Sequence, residues 1–180
     1  MSVEVLNESG VDLDVTQFVR LARFTMRRMR VHPEAELCLK LVDEPTMTEF
    51  NSKYMGNDGP TDVLSFPMDE LRPGQDGEVD ADGILGDMLL CPQYASGQAA
   101  SFSRTADEEM HLLTIHGILH LLGYDHAESE QEREMFGLQN QVLARWREER
   151  AAAEERERQR LADSRVLGTA GLEEPGGRDG

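Results

Sequence analysis

The stretch His116-Gly117-Ile118-Leu119-His120-Leu121-Leu122-Gly123-Tyr124-Asp125-His126 decides how this chain is read. An α-helix turns about 100° per residue, so His116 and His120 project from one face, a turn apart, and can share one metal ion. Gly123 can adopt the left-handed conformation that ends a helix and returns the chain, which lets His126 close the ligand set from a third direction. Three imidazoles with an open fourth position describe a catalytic zinc site; a structural site normally holds four protein ligands. A lone histidine on an apolar helix is usually a satisfied core residue, and Leu119, Leu121 and Leu122 do mark this helix as buried. Three unpaired imidazoles at this spacing would be costly to bury, and one metal ion per chain removes that cost.

The spacing also matches the long zinc-protease pattern H-E-x-x-H-x-x-G-x-x-H, with Gly117 where the peptidase places its general-base glutamate. Glycine can neither deprotonate a water nor protonate a leaving amine. The pattern therefore predicts metal-assisted hydrolysis of a bond whose leaving group needs less help than an amide nitrogen, such as a phosphodiester.

The 180 residues fit one domain with an ordinary core and a tail. The expected boundaries are 1–150 for the metal-dependent domain and 151–180 for a charged, disordered C-terminal tail, of which the Ala-, Glu- and Arg-rich 151–160 can extend the last helix into solvent. The N-terminus carries neither a basic nor an apolar leader-like region, and no run reaches membrane-spanning length, so a soluble cytoplasmic protein is expected. Cys38 and Cys91 stand apart in apolar segments and are read as buried thiols. A formal net charge of -17 argues against a general nucleic-acid binder. A local patch can still steer a polyanion, and Arg20, Arg23, Arg27 and Arg30 form a stripe at helical period with Arg28 beside them. That stripe is either a solvated face paired with surface acids or an RNA-contacting face, with Arg20, Arg23 and Arg27 as the contacts.

Along the chain, 3–6 reads as a strand and 16–30 as a helix capped by Asp14 or Thr16. Strands follow at 36–42, 63–66 and 84–91, with a short helix at 46–54. The acidic, Gly- and Pro-rich 69–83 reads as a mobile loop. Thr105 with Glu108 resembles a capping box that opens the metal helix. His111 points away from the metal face and is read as a residue behind the ligands or in the core; Asp125 is read as orienting a ligand or capping the turn. Asp87 and Thr61 are candidates to line the cleft or to hold structural turns. The last helix starts near Glu128 and buries Met135, Leu138, Val142 and Trp146. The order predicts an α+β fold, a small four-stranded mixed sheet packed with helices, with the metal site on a central helix and the turn after it.

Three segments in order, His116 to His126, Pro60-Thr61-Asp62-Val63-Leu64-Ser65-Phe66-Pro67, and Leu85-Gly86-Asp87-Met88-Leu89-Leu90-Cys91-Pro92-Gln93, resemble the YbeY family of bacterial rRNA maturation factors. The resemblance covers roughly 1–147. It implies a metalloprotease-like fold, zinc held by His116, His120 and His126, and single-strand-specific endoribonuclease activity. It also implies a role in 16S rRNA 3′-end maturation and ribosome quality control. The implied partners are rRNA and the small ribosomal subunit, with ribosomal proteins or an assembly GTPase beside them, and neither membrane nor DNA. The chain departs from the family at Tyr54-Met55-Gly56, where many relatives carry Tyr-Arg-Gly with an arginine that contacts RNA. Met55 can hold no phosphate oxygen, so an arginine of the first helix supplies that charge or the activity is weaker. The nucleophile is left open between water and an RNA 2′-hydroxyl. Two rival classes are a zinc peptidase and a non-catalytic, zinc-stabilised ribosome assembly factor.

Overall fold

The computed structural model describes residues 2–74 and 83–170. Its chain clusters into two units, Met1–Leu143 and Ala144–Gly180. In the first, a four-stranded mixed sheet is built from β1 (Ser2–Glu8), β2 (Glu36–Val42), β3 (Val63–Pro67) and β4 (Ile84–Leu90) in the order β1-β2-β4-β3. β1, β2 and β4 run parallel and β3 returns antiparallel to β4, so β3 forms one edge. The helices are α1 (Val15–Arg28), α2 (Glu44–Phe50), α3 (Pro92–Ser101), α4 (Ala106–Leu121) and α5 (Ser129–Ala170).

Alternation on β2 sorts the two faces of the sheet. Leu37, Leu39 and Leu41 pair across with Gly86, Met88 and Leu90, and this face buries the inward stripes of α1 and α4, including Leu21, Met26, Ile115 and Leu119. Each such side chain taken out of water stabilises the fold by roughly 1.5–3 kcal/mol. On the other face Val42, Met47, Leu64, Leu89 and Cys91 form a smaller cluster, covered by Phe50 and Phe66. α4 is apolar nearly all round, as a helix enclosed by a sheet and other helices must be.

Local chemistry sets the element ends. Asp14 caps α1 by accepting from the Thr16 backbone N–H at 3.1 Å, and Thr105 caps α4 by accepting from Glu108 at 3.1 Å. The expected helix over 46–54 is α2 followed by a π-helical turn, Asn51–Met55, which ends on Gly56 at φ 67°. Asn51, buried, donates its amide to the Gly59 carbonyl at 3.0 Å and ties this turn to the approach of β3. The residues from 75 to 82 of the acidic loop lie outside the described residues.

The second unit differs from the disordered tail expected for 151–180: α5 continues to Ala170, and 171–180 lie outside the described residues. Ala, Glu and Arg are strong helix formers, and pairs such as Arg160–Glu157 at 2.6 Å support a helix whose residues 151–168 are all exposed. Among the described residues no helix is long and apolar enough to cross a membrane.

Candidate metal centre

α4 carries His116 and His120 on one face, one turn apart, where the helix leaves the core. Gly123, at φ 95°, then ends it in a Schellman motif: its N–H bonds the His120 carbonyl at 3.0 Å and the Tyr124 N–H bonds that of Leu119 at 3.0 Å. The reversed chain brings His126 back against the helix. Ligand atoms of His116, His120 and His126 all lie within 4.8 Å of one another, so the three can hold a metal ion.

The hydrogen-bond partners of the two rings assign which nitrogen faces inward. Nδ1 of His116 meets Gln139 Oε1 at 2.8 Å, and Nδ1 of His120 meets the Tyr124 carbonyl at 2.9 Å. Both partners are pure acceptors, so each ring carries its proton on Nδ1 and turns a bare Nε2 lone pair toward the other. These two Nε2 atoms stand 3.0 Å apart. Two facing lone pairs repel unless a cation lies between them, and the separation is near the roughly 3.3 Å that tetrahedral Zn–N bonds of about 2.0–2.1 Å would set. Burial holds both rings below the ordinary imidazole pKa, with a neighbouring histidine charge acting the same way; the Gln139 and Tyr124 hydrogen bonds oppose it. Neutral imidazole is the form a metal needs. The donor set therefore fits a borderline-soft divalent ion.

Two clefts of about 470 Å³ each meet at this cluster. One runs past Met55 and along the edge strand, lined by Val63, Ser65 and Pro67; the other runs toward α3, lined by Gln98, Phe102 and Phe136. His116, His126 and Asp62 line both. Ser65 donates to the Gly117 carbonyl at 3.0 Å and ties the metal helix to the edge strand.

A side chain at position 117 would have to displace Met88. A Cβ there would stand 2.2 Å from Met88 Cε and 3.1 Å from Ser65 Oγ, so the helix rests on the sheet at the point where a peptidase carries its glutamate.

The remaining predicted residues fall in different places. Asp125 Oδ1 accepts from the His126 backbone N–H at 2.7 Å, so it fixes the turn through the main chain. His111 packs its ring edge-on against Phe18, 5.9 Å between centroids, and is not in the metal cluster. Arg20, Arg23 and Arg27 are exposed on α1, and none lines either cleft. Of the two readings for Asp87, lining the cleft is not the one met: it pairs with Cys38 and lines a cavity on the opposite sheet face with Lys40 and Phe50, because β4 points Met88, not Asp87, at α4. Thr61 bonds Asp62 at 3.4 Å.

Two residues escape sequence reasoning. Gln139 lies on the inward stripe of α5 with Met135 and Val142, and a polar residue on an apolar stripe is the signal that could have found it. Asp62 sits inside the Pro-Thr-Asp segment but reaches the cluster only through the fold. Its Oδ1 accepts from the Val63 N–H at 2.7 Å, which fixes the carboxylate at the start of β3.

A family model described as endoribonuclease YbeY matches residues 6–147. The chain belongs to the endoribonuclease YbeY family. An endoribonuclease YbeY of Nocardioides sp. strain JS614 is 59% identical over 147 residues, covering 82% of this chain and 99% of the relative. One from Saccharopolyspora erythraea is 51% identical over 181 residues, covering 98% of each chain. The solution structure of TM1509 from Thermotoga maritima superposes with a TM-score of 0.56 at 27% identity, covering 85% of this chain and 95% of that one. Membership of the YbeY family places the chain among enzymes that hydrolyse phosphodiester bonds.

Proposed function

We propose that this protein is a zinc-dependent endoribonuclease of the cytoplasm that cuts single-stranded RNA within the small ribosomal subunit. The proposed role is 16S rRNA 3′-end maturation and ribosome quality control. The observation that carries the reading is the pair of bare Nε2 atoms of His116 and His120, 3.0 Å apart at the meeting point of two open clefts, with His126 beside them.

His116, His120 and His126 would hold the ion. Zinc in such a site supplies Lewis-acid polarisation of a phosphodiester oxygen at neutral pH. This chain's own groups do the rest. Gln139 and the Tyr124 carbonyl lock two rings in the ligating tautomer, and Asp125 holds the turn that presents the third. Asp62, anchored through Val63, presents a carboxylate to both clefts and is placed to accept a proton from the attacking hydroxyl. With Met55 there, the edge-strand cleft has no cationic side chain among its described lining residues, and the arginines of α1 draw RNA to the protein from outside it.

The peptidase alternative loses support at Gly117. The peptidase pattern carries its general-base glutamate at this position, where this chain has glycine and where a side chain would press on Met88 and Ser65. The test is metal content together with cleavage of a single-stranded RNA on a denaturing gel, wild type against His116→Ala. Zinc lost together with cleavage is the expected result; zinc lost with cleavage unchanged would remove the nuclease reading.

A further inference from the structure

We infer that the cleft between α3 and the histidine cluster receives a nucleobase of the RNA next to the bond that is cut, stacked on Phe102 and read by Gln98. The inference rests on the endoribonuclease reading and assigns that enzyme a place where base preference arises.

Four observations point the same way. The cleft, about 470 Å³, lies in the size range of roughly 300–1,000 Å³ typical of small-ligand sites, and His116 and His126 form its inner wall. Gln98 lines it with a side-chain oxygen that is buried and has no hydrogen-bond partner among the described residues. Such an atom is a standing acceptor that an N–H on the edge of a base would satisfy. Phe102, at the end of α3, is 58% exposed although the Arg104 guanidinium lies 5.5 Å from its ring centre, an uncommon exposure for a large apolar ring. Phe136 stacks nearly parallel to the His116 and His126 rings, at 19° and 15°, and adds a second aromatic ring to the cleft lining.

Charge disfavours the backbone as occupant of the part of the cleft away from the metal position. The cation in this cleft, Arg104, is held by the buried Glu109 at 2.9 Å, and Asp62 adds a second carboxylate. Away from the metal position a phosphate would meet no unpaired cation among the described lining residues, whereas a planar, uncharged group with hydrogen-bonding edges fits the amides and rings. An apolar peptide side chain would fill the space but leave the Gln98 oxygen unpaired.

A fluorescent adenine analogue, 2-aminopurine, moved position by position through a short single-stranded RNA tests this with zinc-loaded protein. Fluorescence is followed on mixing, and products are followed on gels. The expected result is strong quenching at one position beside the cut. Phe102→Ala should abolish the quenching and raise KM about five- to a hundredfold at unchanged zinc content, the span expected for one stacked base. Gln98→Leu should keep the quenching and flatten the preference among the four bases at that position. An abasic nucleotide there should slow the wild type and not slow Phe102→Ala further. Phe102 is largely exposed, so its variant leaves the core intact.

Quenching and base preference unchanged in both variants, with zinc and fold retained, would overturn the base site while leaving the nuclease standing. Quenching that depends on Phe102 in RNA that is never cut would support the base site and remove the nuclease reading. Phe102-dependent cleavage of unstructured peptides, with no quenching of RNA, would overturn the inference.

Discussion

Gln139 accepts the Nδ1 proton of His116 at 2.8 Å from a helix that begins after the last of the three histidines. The contact fixes which nitrogen of His116 faces the metal position, so a residue outside the ligand motif controls the motif's chemistry. Gln139→Leu removes the acceptor and leaves the ring free to change tautomer. Zinc affinity should fall about 10- to 100-fold, as is usual for loss of such a partner. Gln139→Glu, which keeps an acceptor, should retain tight binding. Competition against a fluorescent chelator measures both, and equal affinity in Gln139→Leu and wild type would show that the tautomer is set elsewhere.

Gly117 lets α4 approach the sheet, and two effects of known size compete there. Alanine in a helix interior is favoured over glycine by about 0.8–1.0 kcal/mol. Overfilling a packed core costs about 1–3 kcal/mol, and Met88, fully buried, must move to admit the Cβ. Gly117→Ala should therefore lose up to about 2 kcal/mol in urea unfolding, whereas an exposed helical glycine would gain stability. Gly117→Glu should lose more and should not cleave an unstructured peptide; peptide cleavage by that variant would mean that the site is open to peptidase chemistry after all.

Gly123 needs its φ of 95°, and the turn it makes delivers His126. An alanine in left-handed conformation costs about 1–2 kcal/mol, and its Cβ would also displace the Arg72 guanidinium, whose Nη1 donates to the Leu122 carbonyl at 3.3 Å. Gly123→Ala should lower both unfolding free energy and zinc affinity. His126→Ala should lower zinc affinity alone, because His126 is exposed and supports no core packing. Calorimetry with and without EDTA separates the two, since a ligand that binds only the folded state raises its melting temperature.

Much of this was legible in the residues. Leu37, Leu39 and Leu41 reveal β2 because one face of it is buried and the other is not, and the histidine spacing reveals the metal cluster because a helix and one glycine turn fix its geometry locally. The strand order was not legible: that β4 inserts between β2 and β3 is decided by packing over long sequence separation. The same holds for Gln139 and Asp62, whose places depend on how distant segments meet. Which of its two readings Asp87 takes was not legible either: it follows Gly86, at φ 149°, where the register with β2 shifts, and β4 points Met88 at α4 instead. The helix beyond residue 160 escaped because an exposed helix needs no apolar period, only good helix formers and ion pairs.

The arginines of α1 supply the last prediction. Arg20, Arg23 and Arg27 are exposed on one helix of a chain with net charge -17, away from both clefts, so any role in RNA binding is electrostatic capture and not chemistry. Each phosphate contact on a single strand contributes a slope of about 0.7 to the dependence of log K on log salt. Replacing all three by glutamine should flatten that slope by about 2, raise KM at low salt, and leave kcat and zinc content unchanged. Filter binding across a salt series reads the slope directly. An unchanged slope would assign the stripe to solvent, and the RNA would then have to be drawn in by the metal site and its clefts alone.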